Sequence, residues 1–303
     1  MSGLVATLIA GAGAKLSSML VQQLASESTD GGVGGVRIEW LAPDKAADIF
    51  GAGIGAEQWR KHLNTILGNQ PIDMLIQPAA TRRKKLLAAD MESTIIEQEL
   101  LDELAAEVGV HEQVAAITRR AMNGELDFGA ALRERMMLLK GKPVSILEAA
   151  AKRITYMTGA EALVATMKAN GAAAWLITGG FSFFAAPVAA ELGFDQEYAN
   201  QIIIKDGVIT GEVGEPILDR NRKKALLEQA CADLKISMAE SVAVGDGAND
   251  VPMLEVCGKG GGLGVAFEAK PKVRAAVPNQ INHADLTALL YAQGYKREDI
   301  ISK

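Results

Sequence analysis

Two carboxylates directly follow an apolar run near residue 90 of the chain. The stretch LLAADMESTIIEQE, residues 86–99, places Asp90 and Glu92 after four apolar residues and ahead of Ser93 and Thr94. A carboxylate at the end of a buried strand can bind a metal or attack an electrophile, although an acid in this position often only caps a helix. The stretch by itself leaves both interpretations open.

Three further polar features have side chains that can bind phosphate. TGG at 178–180 begins with the last residue of the apolar run AAAWLIT, GDGAND at 245–250 follows SVAV, and Lys223 lies between them. Glycine allows close approach to a phosphate, and threonine and lysine supply a hydroxyl and a positive charge. Taken singly, these features are typical of a turn, a helix cap and a solvated helix face. They indicate a phosphate site only if the fold brings them to one edge.

Apolar periodicity predicts a small α+β unit at the start of the chain. The basic stretch AATRRKK at 79–85 then interrupts the apolar pattern and is interpreted as a linker, with domains at 1–80 and 81–303. The predicted strands of the first unit are 4–10, 36–41 and 72–77, with DIFGAG as a candidate fourth, and its predicted helices are 16–24 and 57–67.

The second unit reads as strands alternating with helices, which predicts a parallel sheet covered on both faces. Residues 95–170 have helical periodicity, so the run ending at Asp90 is the expected first strand with a helical block inserted after it. Later predicted elements are strands at AAAWLIT, SVAVGD and LGVAF, a hairpin at IIIKDGVIT, and helices at 182–192, 221–234 and 249–257.

Ligands of such sheets bind outside the carboxyl ends of the strands, where the polar clusters are expected to meet. Several acids at one edge repel one another unless a cation lies among them, and hard oxygen ligands beside a phosphate favour Mg²⁺. Asp90 and Asp246 are the expected side-chain ligands. A carboxylate activated in this way can attack phosphorus, and Glu92 can protonate the leaving oxygen and then activate water.

The four features, in this order, resemble the motifs of a known enzyme family. Asp90-x-Glu92-Ser93-Thr94, Thr178-Gly179-Gly180-Phe181, Lys223 and the GDGAND segment are similar to those of the haloacid dehalogenase-like phosphatases, and within them of the phosphoserine phosphatases. The resemblance covers residues 84–295. It implies a Rossmann-like parallel-sheet core with a helical cap, at about 97–160, inserted after the first strand.

The resemblance also implies a role for each matching residue. Asp90 would be the nucleophile and Glu92 the acid/base residue, and Asp90, Asp246 and the backbone carbonyl of Glu92 would bind the metal. The family usually has Asp where this chain has Glu92, so the longer side chain has to be accommodated. The residues implied to bind substrate are Glu99, Met122, Phe128, Arg135, Thr178, Gly179, Lys223 and Asn249, with Asp250 in support.

Glu99 would meet a substrate ammonium and Arg135 a carboxylate, an arrangement that fits the chemistry of both groups. The implied reaction is Mg²⁺-dependent hydrolysis of O-phospho-L-serine, the last step of serine biosynthesis. Residues 1–80 resemble an ACT-like regulatory domain in position and element order, through which a homodimer could form. Two alternatives stay open: another small phosphorylated amine as substrate, or an amino-acid-binding regulatory protein with weakened catalysis.

Composition excludes some classes of function. The net charge of −6 and the pI of about 5.3 provide no basic surface for nucleic acid. No apolar run reaches the length of about 20 residues that a membrane span requires. Cys231 and Cys257 have no metal-ligand spacing and are expected to be buried free thiols, so a cytoplasmic protein is predicted.

Overall fold

The computed structural model describes residues 3–122 and 125–301. It contains two main β-sheets, one antiparallel and one parallel, and a separate two-stranded hairpin. Within the described residues, no helix combines the length and the apolar character needed to cross a membrane.

The antiparallel sheet and two helices form the first part of the chain. The strand order is β2-β3-β1-β4, and alternate residues of β1 such as Ala6 and Leu8 face the helices, where Trp59 and Leu63 are buried. The candidate strand DIFGAG forms the end of β3, which completes four strands. The elements are β1 (Leu4–Ala10), α1 (Ser18–Asp30), β2 (Gly34–Ala42), β3 (Ala46–Ala52), α2 (Ala56–Leu67) and β4 (Ile72–Pro78).

The helix predicted at 16–24 begins two residues later and is longer than expected. Ser17 caps it, because its hydroxyl accepts a hydrogen bond from the backbone N–H of Leu20 at 3.2 Å. Leu16 stays outside the helix and is buried in the core between the sheet and its helices.

The second sheet has six strands and is parallel throughout, as predicted. Its order is β12-β11-β10-β5-β6-β7, so β5, which precedes Asp90, lies at the centre. Leu87 and Ala89 join the core on one face and Leu86 and Ala88 the core on the other, as the continuous apolar run requires. The strands are β5 (Leu86–Ala89), β6 (Ala173–Phe181), β7 (Gln196–Asn200), β10 (Ser241–Gly245), β11 (Leu263–Phe267) and β12 (Asn279–Ile281), and the hairpin is β8 (Ile202–Lys205) and β9 (Val208–Val213).

Helices connect the strands, and the described residues between β5 and β6, where the sequence predicts a helical block, form five of them. These are α3 (Leu100–Glu107), α4 (His111–Met122), α5 (Phe128–Met137), α6 (Ser145–Ala151) and α7 (Ala160–Ala169). The later helices are α8 (Ser182–Leu192), α9 (Arg220–Asp233), α10 (Val251–Lys259), α11 (Pro271–Ala276) and α12 (Ala288–Ala292).

Three local expectations differ from the structure. The strand β6 does not end at Thr178, the last residue of AAAWLIT, but continues to Phe181, which pairs with Asn200 beyond an irregularity in the register. The strands β7 and β12 were not predicted, because QEYAN and NQI are short and polar. Within the basic stretch 79–85, Lys84 is buried, although its charge suggests exposure, and it donates to the carbonyl of Ala239 at 2.8 Å.

Candidate active site

The acids predicted at the strand ends meet at the carboxyl edge of the parallel sheet. Asp90 follows β5 and Asp246 follows β10, its neighbour, and the N–H of Asp90 donates to the carbonyl of Val244 at 3.0 Å. Carboxylate oxygens of Asp90, Asp246 and Asp250 lie within 4.8 Å of one another, and all three residues are buried. The adjacency of β5 and β10 thus creates the acid cluster that the sequence predicts.

Lys223 provides the counter-charge on the inner side of this cluster. It is fully buried in α9, and its Nζ lies 2.7 Å from Asp90 Oδ1 and 2.7 Å from Asp250 Oδ1. Burial by itself lowers the pKa of a lysine, but the two carboxylates outweigh it and raise the pKa of Lys223 above its ordinary value. The lysine is therefore a permanent cation that orients Asp90.

Asp250 is fully engaged by the protein. Oδ1 accepts from Lys223, and Oδ2 accepts from the N–H of Gly247 at 3.0 Å. Glycine at 245 makes this possible, since a Cβ there would lie 2.4 Å from Asp250 Cγ. Asp250 thus supports Lys223, while Asp90 and Asp246 remain the better placed to bind an external cation.

The crowding of acids raises their proton affinity. Burial, together with the nearby charge of Asp90, raises the pKa of Asp246 to about 7, and the same two causes raise that of Asp250. The charges of Lys270 and Lys223 lower the pKa of Asp246 but offset these two causes only in part. The donor set of buried hard oxygens fits a divalent cation of the magnesium kind, which would displace these protons.

The glycines of the TGG segment leave space for side chains from two other elements. A Cβ at Gly179 would lie 3.2 Å from Phe128 Cζ, and one at Gly180 would lie 2.8 Å from Glu92 Oε2. Thr178 is buried, and its hydroxyl accepts from the N–H of Gly180 at 2.9 Å. A bulkier residue at 179 or 180 would close the space beside the acids.

Glu92 is held at the start of α3. Its Oε1 accepts a hydrogen bond from the N–H of Leu100 at 2.9 Å, while Oε2 lies over Gly180. Burial first, and then the charge of Glu99, raise the pKa of Glu92 to about 8. The longer side chain is therefore anchored by a helix N-terminus and carries a proton at neutral pH.

Residues of the helical block close a cavity of about 220 Å³ over these groups. Arg135 reaches it from α5, and burial lowers the pKa of this arginine although the acids Asp102, Glu92 and Glu99 oppose the change. Met122 ends α4, but its side chain lies outside the described part of the chain. The cavity is lined by Asp90, Glu92, Glu99, Leu101, Asp102, Thr118, Phe128, Leu132, Arg135, Thr178, Gly179, Gly180, Phe181, Asp246, Gly247, Asn249 and Lys270.

Two charged lining residues escaped the sequence reasoning. Asp102 contributes a second acid opposite Arg135, and Lys270 lies between Asp246 and Glu99. Asp102 lies three residues after Glu99, the N-cap of α3, a spacing that could have indicated it. Lys270 stands in the loop EAKPK, where no periodic pattern marks it.

Known proteins with related sequences and structures share this architecture. The family model described as haloacid dehalogenase-like hydrolase matches residues 87–255, more than half of the chain and the part that contains the acid cluster. The phosphoserine phosphatase of Saccharomyces cerevisiae is 36% identical, and the match covers 100% of both chains.

Two solved structures extend the similarity to the fold. A haloacid dehalogenase family hydrolase from Salmonella enterica serovar Typhi superposes with a TM-score of 0.82 at 29% identity, covering 96% of this chain and 98% of that one. A phospho-aspartyl intermediate analogue of phosphoserine phosphatase superposes with a TM-score of 0.63 at 40% identity, covering 69% and 98%. The chain belongs to the phosphoserine phosphatase family of the haloacid dehalogenase-like hydrolases, and it is a phosphoric monoester hydrolase.

Proposed function

We propose that the protein is a Mg²⁺-dependent phosphatase that hydrolyses O-phospho-L-serine to L-serine and phosphate through an aspartyl phosphate on Asp90. The observation that carries the proposal is one small cavity that holds Asp90, fixed by Lys223, together with Glu92, Arg135 and Glu99. The names of the curated relatives support the substrate, and serine biosynthesis is the corresponding pathway.

Asp90, Asp246 and the backbone carbonyl of Glu92 would hold the divalent cation. When bound, it supplies positive charge that neutralises the acid cluster and stabilises charge on phosphoryl oxygens. The three buried acids and their raised proton affinity support this assignment, and the ligand chemistry favours Mg²⁺.

Lys223 and the N–H of Met91 both bind Oδ1 of Asp90 at 2.7 Å, which fixes the nucleophile. In the first step a carboxylate oxygen of Asp90 bonds to phosphorus, and the bond between phosphorus and the serine oxygen breaks. Thr178, the N–H of Gly179, Lys223 and Asn249 would bind the phosphoryl oxygens and hold the group in line. A solved relative described as a phospho-aspartyl intermediate analogue supports this step.

Glu92 acts as the acid and then as the base. Its proton, retained to a pKa of about 8, passes to the serine oxygen as L-serine leaves. The resulting carboxylate takes a proton from water, whose oxygen attacks phosphorus. The bond from phosphorus to Asp90 breaks, phosphate leaves, and both residues return to their starting states.

The helical block from about 97 to 160 serves as the substrate cap. Arg135 would form a bidentate pair with the substrate carboxylate, Glu99 would receive the ammonium, and Phe128 with Met122 would form the apolar wall. The packing of Phe128 against Gly179 supports this arrangement, because it connects the cap with the phosphate-binding segment.

Residues 1–80 would form a regulatory domain of the ACT-like kind, separate from a phosphatase domain at 81–303. The four antiparallel strands with two helices on one face support this division. Dimerisation through this domain belongs to the same proposal. Two buried free cysteines, Cys231 and Cys257, are consistent with a reducing compartment such as the cytoplasm.

A phosphate-release panel tests the substrate and the metal together. Phosphoserine, phosphothreonine, phosphotyrosine and phosphoethanolamine are offered with Mg²⁺ and, in parallel, with chelator. We expect release from phosphoserine only, and none with chelator. Equal release from phosphoethanolamine would overturn the amino-acid substrate, and binding of phosphoserine without hydrolysis would favour the regulatory alternative.

Arg135→Ala tests the carboxylate pair. We expect KM for phosphoserine to rise about 30-fold, because a charge-assisted bidentate pair is lost. The matched control is Arg133→Ala on the same helix, since Arg133 is exposed and pairs with Glu215. Equal KM values for the two variants would remove Arg135 from substrate binding.

Glu92→Gln tests the acid/base assignment. Glutamine keeps an oxygen for the N–H of Leu100 but cannot donate and retrieve the proton, so we expect kcat to fall by about 10²- to 10⁴-fold. Rates equal to those of the unmodified protein would assign the proton transfers to another group.

A further inference from the structure

Lys270 contacts two acids, and in the proposed reaction each of these acids binds a different cation. Its Nζ lies 3.6 Å from Glu99 Oε1 and 3.5 Å from Asp246 Oδ2. Glu99 is the proposed partner of the substrate ammonium, and Asp246 is a proposed metal ligand. A single lysine ammonium therefore lies where two external cations are expected to act.

The backbone of Lys270 is fixed while its amine is free to leave. The residue caps the N-terminus of α11 just before Pro271, and its N–H donates to the carbonyl of Asp246 at 3.4 Å. The side chain is 65% exposed and lines the cavity. A long flexible stem anchored beside Asp246 allows the ammonium to move into water at low cost.

Repulsion between positive charges acts on Lys270 when the metal and the substrate bind. A divalent cation at Asp246 and an ammonium at Glu99 each repel Lys270 and compete for the oxygen it contacts. Exposed ion pairs contribute little, so the competition amounts to a factor of about three to five for each partner. Lys223 does not share this behaviour, because it is buried behind Asp90 and Asp250.

We propose that Lys270 is a resident counter-ion that holds Glu99 and Asp246 together until the metal and the substrate ammonium replace it. Lys270 thereby weakens binding of both ligands and, by neutralising Glu99, lowers the preference for substrates that carry an amine. The competition with the metal at Asp246 is inferred from the acid cluster, whereas the competition with the substrate ammonium at Glu99 rests on the function proposed above. Lys270 is thus a positioning residue.

The first test measures metal binding without turnover. Lys270→Gln and the matched control Lys272→Gln remove the same charge two residues apart, and Lys272 is exposed and does not line the cavity. Calorimetric titration of metal-free protein with Mg²⁺ should give a Kd about three- to fivefold lower for Lys270→Gln and an unchanged Kd for Lys272→Gln. An equal or higher Kd for Lys270→Gln overturns the proposal.

The second test compares two substrates that differ by the amine. Phosphoserine carries an ammonium, whereas the phosphate ester of 3-hydroxypropanoate has the same carbon chain, phosphate and carboxylate without it. The ratio of KM for this ester to KM for phosphoserine should rise about fivefold in Lys270→Gln and stay constant in Lys272→Gln. This ratio cancels the general effect of a lost positive charge on anionic substrates.

The outcomes separate the two proposals. A constant or lower ratio overturns the counter-ion role at Glu99, since it means that Lys270 attracts the substrate or does not affect it. Failure of the unmodified protein to hydrolyse phosphoserine rejects the proposed function, yet the Mg²⁺ titration still decides whether Lys270 competes at Asp246.

Discussion

Buried carboxylates occur in two regions of this protein, and their surroundings differ. Where the two sheets meet, Asp73 accepts hydrogen bonds from the backbone N–H groups of Asn282, His283 and Ala284 at 2.8 to 3.1 Å. At the carboxyl edge of the parallel sheet, Asp90 and Asp246 instead face each other across less than 4.8 Å. The first region satisfies its acid with protein donors, whereas the second concentrates negative charge.

Asp48 shows that burial alone does not make an active site. It is fully buried and accepts from the Thr7 hydroxyl at 2.7 Å and from Arg82 at 2.6 Å, although burial still raises its pKa to about 6. Each acid at the sheet junction thus has its own donors. At the carboxyl edge, three buried acids instead share two lysines, Lys223 and Lys270. This excess of negative charge favours binding of an external cation, and it distinguishes the candidate functional carboxylates from the structural ones.

The largest expected effect is that of Asp90→Asn. The amide keeps the shape but removes the proposed nucleophile, so we expect kcat for phosphoserine to fall by at least about 10³-fold. Thermal unfolding should change by only a few degrees, because a crowded negative charge is lost together with the pair to Lys223. Turnover at the rate of the unmodified protein would contradict the mechanism. Unfolding of the variant would show that Asp90 stabilises the fold, as Asp73 and Asp48 do.

Asp73→Asn makes the same chemical change in the other region. We expect a loss of about 2 to 3 kcal/mol of stability, since the amide cannot accept all three backbone hydrogen bonds. The melting temperature should then fall by about 5 to 10 °C. The kcat of the folded protein should remain within about twofold of the unmodified value. A large fall in kcat without a change in melting temperature would contradict the structural role of Asp73.

Stabilisation by Mg²⁺ should depend on pH in a defined direction. The pKa of Asp246 is raised to about 7 in the folded protein. Between about pH 4 and pH 7 the folded state therefore keeps a proton that the unfolded state has released, so the metal-free protein loses stability as the pH rises through this range. In the proposed site, Mg²⁺ would take the place of that proton. We therefore expect the metal to raise the melting temperature by several degrees at pH 8 and by half as much or less at pH 5.5.

Asp246→Asn is the control for this pH dependence. It removes the titrating carboxylate, so the increase in melting temperature caused by Mg²⁺ should be small at both pH values. An equal increase at pH 5.5 and pH 8 in the unmodified protein would show that protons do not compete with the metal at this site.

Much of the parallel sheet and the position of the acids could be predicted from sequence. Continuous apolar runs mark β5, β6, β10 and β11 because parallel strands are buried on both faces, and polar residues at their ends mark the ligand edge. The two edge strands of the sheet, β7 and β12, were not predicted because they are short and consist largely of polar residues. The contacts of the stretch 79–85 could not be predicted either, because partners such as Asp48 for Arg82 lie far away in the sequence.

The sequence by itself determined which chemistry the protein can carry, because the ordered acids, the TGG segment and Lys223 follow from local apolar runs and turn residues. Only the tertiary structure determined which charged side chains lie close to one another. Lys270 meets Glu99 and Asp246, and Asp73 meets the loop after β12, through contacts between segments distant in the chain. Electrostatic energy depends on distance in space, which no local pattern records.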